Sequence, residues 1–360
     1  MVNTFITTFS KGTVDYAGSA ANLDVRRSLK QCVEAYQIIR ILESVKVIAN
    51  YFFGKSRSSE DLDDIGDFEK SMRYPPPVTK EETKLPVEER AEKFLSRIEW
   101  LSRIRKFYES TDKRLVFIQG EYKFYHVQRL PVVIPRASPS SNVKYELYYT
   151  HGNEADVYVT IPKSMYTKNP KKWSLHKQLL DNSGDRRGTY TLIYDRERVC
   201  ITDLGDRIFT LGFSQHAIVK MWLGYEDSLK YYVNQHIINY LSRKTKSGRP
   251  RTLVIPLYED IPPASEIVHP WWITDYDGVV ISHRVNLLRK ELVAGSEPHY
   301  WLIFNDVPNK FIQSLGYVWP GSLPFHSREE KLKVIISMMS SENIDILSVC
   351  APINKKQIML

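Results

Sequence analysis

Cysteine is scarce in this chain. Cys32, Cys200 and Cys350 stand far apart, with no CxxC and no Cys/His cluster. That pattern excludes a zinc ribbon or knuckle, and three is an odd number for a disulfide framework. Free thiols in a reducing, intracellular compartment are the expectation. Long apolar runs are also missing: nowhere do about 18 apolar residues follow one another, so no membrane span is expected. The stretch MVNTFITTFSKGTVDYAG lacks the basic region and apolar core of a secretory signal. HExxH, GxSxG, P-loop and GxGxxG motifs do not occur, which removes several familiar routes to an enzyme.

Acidic residues are in deficit. Fifty Lys and Arg face 42 Asp and Glu, a formal net charge of +8, which favours nucleic acid or another polyanion as partner.

The chain falls into four stretches. Residues 1–55 form an N-terminal helical element. Within it Val25, Leu29, Cys32, Tyr36, Ile39, Leu42, Val45, Ala49 and Phe52 keep helical spacing, from a cap at Asn22 to a stop at Gly54. Residues 56–85 form a linker, acidic at first and then stiffened by Pro75, Pro76 and Pro77. Residues 86–260 hold a helix from Pro86 to about Tyr108, then short β-branched and aromatic segments to about Phe213. A second helix over 214–242 is broken near Gly224 and carries His236 as a satisfied core histidine. Residues 261–360 form an aromatic-rich mixed module, with a helix near 331–339 and a final strand over NIDILSVCAPI. The expected class is α+β: helical N-terminal elements, a largely antiparallel β-rich middle domain and the mixed C-terminal module.

Charge concentrates at Arg243, Lys244, Lys246, Arg249 and Arg251, in a loop containing Gly, Ser and Pro. There side chains can reach phosphates without leaving a packed face. Lys171 and Lys172 form a second basic patch. The core Gly248-Arg249-Pro250-Arg251 resembles the centre of an AT-hook, although Ser247 stands where the hook has arginine. The resemblance implies minor-groove contact with A·T-rich DNA.

The run from Trp271 to Val280 is similar to the first motif of haloacid-dehalogenase-type phosphatases, an apolar strand ending in DxDG. That resemblance implies Asp275 as nucleophile, Asp277 as general acid and Mg²⁺ as cofactor. Against it, Pro270 shortens the strand, and no later DD or GDxxxD completes a metal site. The residues themselves read as a Tyr-Asp-Gly turn between two strands. His269, His283, His299 and His326 fit no metal-ligand spacing.

The segments Ser282 to Glu291, Pro298-His299-Tyr300 and Gly316 to Pro320 resemble a short module of uncharacterised proteins of large DNA viruses. His283, Arg284, Arg289 and Lys290 form a cationic cluster beside Val285, Leu287 and Leu288. It reads either as a docking segment or as a buried helix with two solvated basic residues.

The functional expectation is a non-enzymatic, basic structural or interaction protein without a cofactor, associated with a virion or nucleoprotein. Its partners would be nucleic acid, an acidic protein surface, or capsid or other virion proteins. One alternative is a Mg²⁺-dependent phosphate-ester hydrolase at Asp275 and Asp277. The other is an A·T-preferring DNA-binding protein.

Overall fold

A computed structural model of the chain describes residues 4–10, 13–54, 67–111, 113–118, 121–126, 145–151, 155–161, 189–194, 197–202, 207–208, 211, 213–253, 255–294, 299–342 and 344–353. The chain divides into two units. One joins Met1–Ile104 to Gly212–Leu360; the other is Arg105–Leu211. These limits differ from the four stretches read from composition, because helices distant in sequence share one core.

The first unit opens with the short pairing of β1 (Phe9–Ser10) and β2 (Thr13–Val14). Helices α1 (Tyr16–Ala21) and α2 (Val25–Phe53) follow. The cap of α2 is Asp24 rather than Asn22; its carboxylate accepts from the Arg27 amide at 3.0 Å. Cys32, Ala35, Ile38, Ile39, Leu42, Val45, Ile48 and Ala49 form its buried stripe, so a long helix at the predicted spacing is present. Then come α3 (Asp67–Met72), α4 (Lys80–Thr83) and α5 (Val87–Glu109), the last with Glu88 and Glu89 at its positive end.

After the second unit the chain re-enters with α6 (Ala217–Trp222) and α7 (Glu226–Ser242), which packs along α1 and α2. The break between them falls at Gly224, as its position in the sequence predicts. Its φ of +89° suits glycine, and its carbonyl accepts from the Val78 amide at 2.9 Å. The remaining helices are α8 (Trp271–Thr274), α9 (Gly278–Ala294), α10 (Tyr300–Ile303), α11 (Asn309–Ser314) and α12 (Arg328–Met339). A Ser327/Glu330 capping box starts α12.

In the second unit the backbone forms antiparallel ladders. β3 (Lys113–Ile118) lies between β4 (Glu121–His126) and β9 (Arg207–Ile208). β5 (Tyr145–His151), β6 (Ala155–Ile161), β7 (Thr189–Tyr194) and β8 (Glu197–Thr202) pair in chain order.

The expected α+β class with a largely antiparallel β-rich middle domain is corrected to a helical one. Where side chains as well as backbone are described, the chain is 59% helix and 2% strand, with no sheet beyond the β1–β2 pairing. The helices flanking the strand-textured stretch pack with the two ends of the chain, so they do not form one middle domain with it.

The Asp277-Gly278 turn between strands is also corrected: helices lie on both sides. Trp271, Trp272 and Ile273 are buried together on α8, and apolar positions fill nearly every face of α9. Gly278 answers a close approach, since a Cβ there would lie 2.3 Å from the Tyr276 ring. The final strand is absent among the described residues. The tail meets the core at the Val318–Cys350 bridge, where the Ala351 amide donates to the Tyr317 carbonyl at 2.7 Å and Val349 is buried.

Candidate functional site

The basic loop of the sequence is an ordered hairpin. Lys244 and Pro250 bridge across it, and the Thr245 amide donates to the Arg249 carbonyl at 2.9 Å. The Gly248 amide donates to the Thr245 carbonyl at 2.9 Å, with Gly248 at φ +77° in the turn. The Thr245 hydroxyl accepts from the Arg249 amide at 3.0 Å. Thus a stretch rich in small and polar residues closes on itself by backbone pairing and one threonine.

Its five cations divide in two. Arg243 points inward and donates to the Leu23, Ala20 and Ala21 carbonyls at 2.6, 3.2 and 3.2 Å, capping the negative end of α1. Arg251 lies over the Tyr240 ring at 5.4 Å and donates to the Lys244 carbonyl at 3.2 Å. Lys244, Lys246 and Arg249 are exposed and have no ion-pair partner among the described residues. Lys171 and Lys172 lie outside the described residues.

The second predicted cluster takes a different place. His283 is fully buried on α9, and its Nδ1 accepts from the Ile6 amide at 3.1 Å. Desolvation pushes its imidazole down to about 3. Arg289, 4% exposed, has no carboxylate partner among the described residues. It donates to the Ile312 and Leu315 carbonyls at the C-terminal end of α11 and to the Asn286 side chain. Carbonyls at the negative end of a helix offset its charge. Arg284 donates to the Thr7 carbonyl at 2.7 Å and pairs with Asp306 at 3.1 Å. Lys290 donates to the Tyr317 hydroxyl at 3.0 Å and sits 4.7 Å over the Phe5 ring. Burial lowers its ammonium to about 8. These residues brace the core.

The paired aspartates separate. Asp275 is held by Arg90 at 2.6 Å and by the Thr274 hydroxyl at 2.7 Å, beside a cleft walled by α4, α5 and α8. Asp277 borders a different recess, with Arg284 and Asp306. Neither recess is lined by both carboxylates. Among the four C-terminal histidines, His299 meets the Asn22 carbonyl at 2.9 Å and His269 meets Ser228 at 2.8 Å.

His236 is in the core but not satisfied: both ring nitrogens are buried without a hydrogen-bond partner among the described residues, and desolvation lowers it to about 3. Sequence reasoning also passed over Glu291. Its buried carboxylate accepts from the His299, Tyr300 and Trp301 amides at the start of α10. An acid a few residues before a Pro-His-Tyr segment was the available signal. No helix among the described residues is long and apolar enough to cross a membrane.

No family model, curated protein or solved structure matches the chain.

Proposed function

We propose that the chain is a non-enzymatic interaction protein whose basic hairpin contacts the phosphate backbone of nucleic acid. The observation that carries this reading is the outward set of Lys244, Lys246 and Arg249, free of acidic partners among the described residues, on a backbone closed by its own hydrogen bonds. A pre-ordered cationic finger loses little freedom on binding, and each phosphate it neutralises releases counterions. The reading favours phosphate contact over base reading, because Arg251 is already stacked and hydrogen-bonded within the protein.

The test is binding of the full chain to labelled duplex and single-stranded DNA across a salt series. Wild type should bind with a steep negative dependence on salt. Replacing Lys244, Lys246 and Arg249 together by alanine should flatten that slope on a duplex, by up to about 0.9 for each phosphate no longer neutralised. No binding at low salt, or an unchanged slope in the triple variant, overturns the reading.

A further inference from the structure

A cleft of about 280 Å³ in the first unit shares no residue with the hairpin. Its lining includes Lys80, Arg90, Arg97 and His269, together with Phe94 and Trp271, whose rings meet edge to face at 5.1 Å.

The protonation of His269 follows from the chain of hydrogen bonds behind it. Tyr16 is buried and its phenol held protonated by desolvation. Among the described residues its hydroxyl has one partner, the Ser228 Oγ at 2.7 Å, and donates there. Ser228 then gives its own proton to His269 Nδ1 at 2.8 Å. With Nδ1 accepting, a neutral imidazole carries its proton on Nε2. Burial holds His269 below the ordinary imidazole range, so the ring is neutral at pH 7. Nε2 has no protein partner among the described residues. His269 therefore offers the cleft a fixed N–H donor, not a base.

Two further donors lie unmatched in the same wall. Trp271 is 2% exposed and Arg97 8% exposed, and neither Trp271 Nε1 nor Arg97 Nε has an acceptor among the described residues. Native structures rarely leave such groups unpaired. The carboxylates at hand are engaged: Glu82 by Arg97 at 2.6 Å, and Asp275 by Arg90 at 2.6 Å. Three cations against two carboxylates leave the lining with one net positive charge. Val78, Ile267 and Met339 complete the apolar side.

We infer that this cleft binds a small molecule with an oxyanion head on an apolar body. The head is recognised by His269 Nε2–H and Arg90, with the Trp271 indole N–H turning toward it. The body lies against Phe94 and the apolar lining. The volume suits a ligand of about a dozen heavy atoms, at the small end of ligand pockets.

The test is calorimetric titration of the full chain with phenyl phosphate, phenylacetate, benzyl alcohol and inorganic phosphate, alongside tryptophan fluorescence. At least one aryl anion should bind saturably, at least tenfold more tightly than benzyl alcohol and than inorganic phosphate. The pair of aryl anions tells phosphate from carboxylate. Trp271→Phe keeps the ring and removes the N–H, and should weaken binding about tenfold; His269→Phe should do the same. Far-ultraviolet circular dichroism checks that each variant is folded. Absence of binding by wild type at millimolar ligand overturns the inference. So does equal binding of benzyl alcohol or inorganic phosphate, or unchanged affinity in both folded variants.

Discussion

The hairpin at 243–251 and helix α9 both crowd cations into about a dozen residues, yet they use them differently. In the hairpin, Lys244, Lys246 and Arg249 face water, and only Arg243 and Arg251 turn back to the protein. In α9, Arg284, Arg289 and Lys290 are drawn against carbonyls, a carboxylate and aromatic rings, with His283 beside them in the core. Net charge is therefore a poor guide to where charge is displayed. What separates the stretches is the company each keeps: Gly, Ser and Pro in one, Val, Leu and Ile in the other. A buried cation needs acceptors fixed by the fold, and α9 finds them on segments far away in the chain.

The contrast gives predictions that fall in order of size. Arg289→Met should destabilise the protein by about 3–5 kcal/mol, because the Ile312 and Leu315 carbonyls and the Asn286 side chain lose their donor. Urea unfolding measures it; a loss under about 1 kcal/mol would mean that water replaces the guanidinium and that α9 is no dry core.

Next comes pH. His283 and His236 titrate near 3 in the folded chain and near 6.5 when unfolded. Above about 6.5 both are neutral in either state and contribute no pH dependence. Between about 6.5 and 3 the unfolded chain takes up protons that the folded chain refuses, so stability falls as pH falls. Each should remove about 2 kcal/mol between pH 7.5 and 5. His283→Gln should remove its share of about 2 kcal/mol from that loss, read from urea midpoints; a midpoint independent of pH would contradict the burial of both.

Smaller is the cap of α12. Ser327→Ala removes the acceptor of the Glu330 amide and should lower stability by about 1 kcal/mol. Thermal unfolding reads it, and no change would show that α12 is held by packing alone. Smallest is the hairpin: alanine at Lys244, Lys246 and Arg249 should shift stability by under about 0.5 kcal/mol. A large loss there would erase the contrast with α9.

Much of the helical framework was legible because it rests on local rules. The stripe of α2, the break at Gly224 and the Pro86 start of α5 follow from spacing, glycine and proline. Two features misled. The Asp-Gly pair at 277–278 reads as a turn, but seventeen residues of α9 buried on most faces outweigh one dipeptide. The strand texture after α5 reads as a middle domain, and only long-range packing reveals that the helices beside it belong to the two chain ends. Of the candidate site, the hairpin was visible as composition. The donors of the cleft were not: Tyr16, Ser228, His269 and Trp271 meet only once α1, α7 and α8 are assembled.

The Ile6 amide rests on His283, a partner 277 residues further along the chain. Ribosomes add about 5–20 residues each second. The segment that will close the core thus emerges about 15–55 s before its acceptor exists. For most of that interval the apolar stripe of α2 also lacks α7, the helix that it packs along. A nascent chain of this design is a natural client for a holdase, and a pause during its synthesis lengthens the exposure.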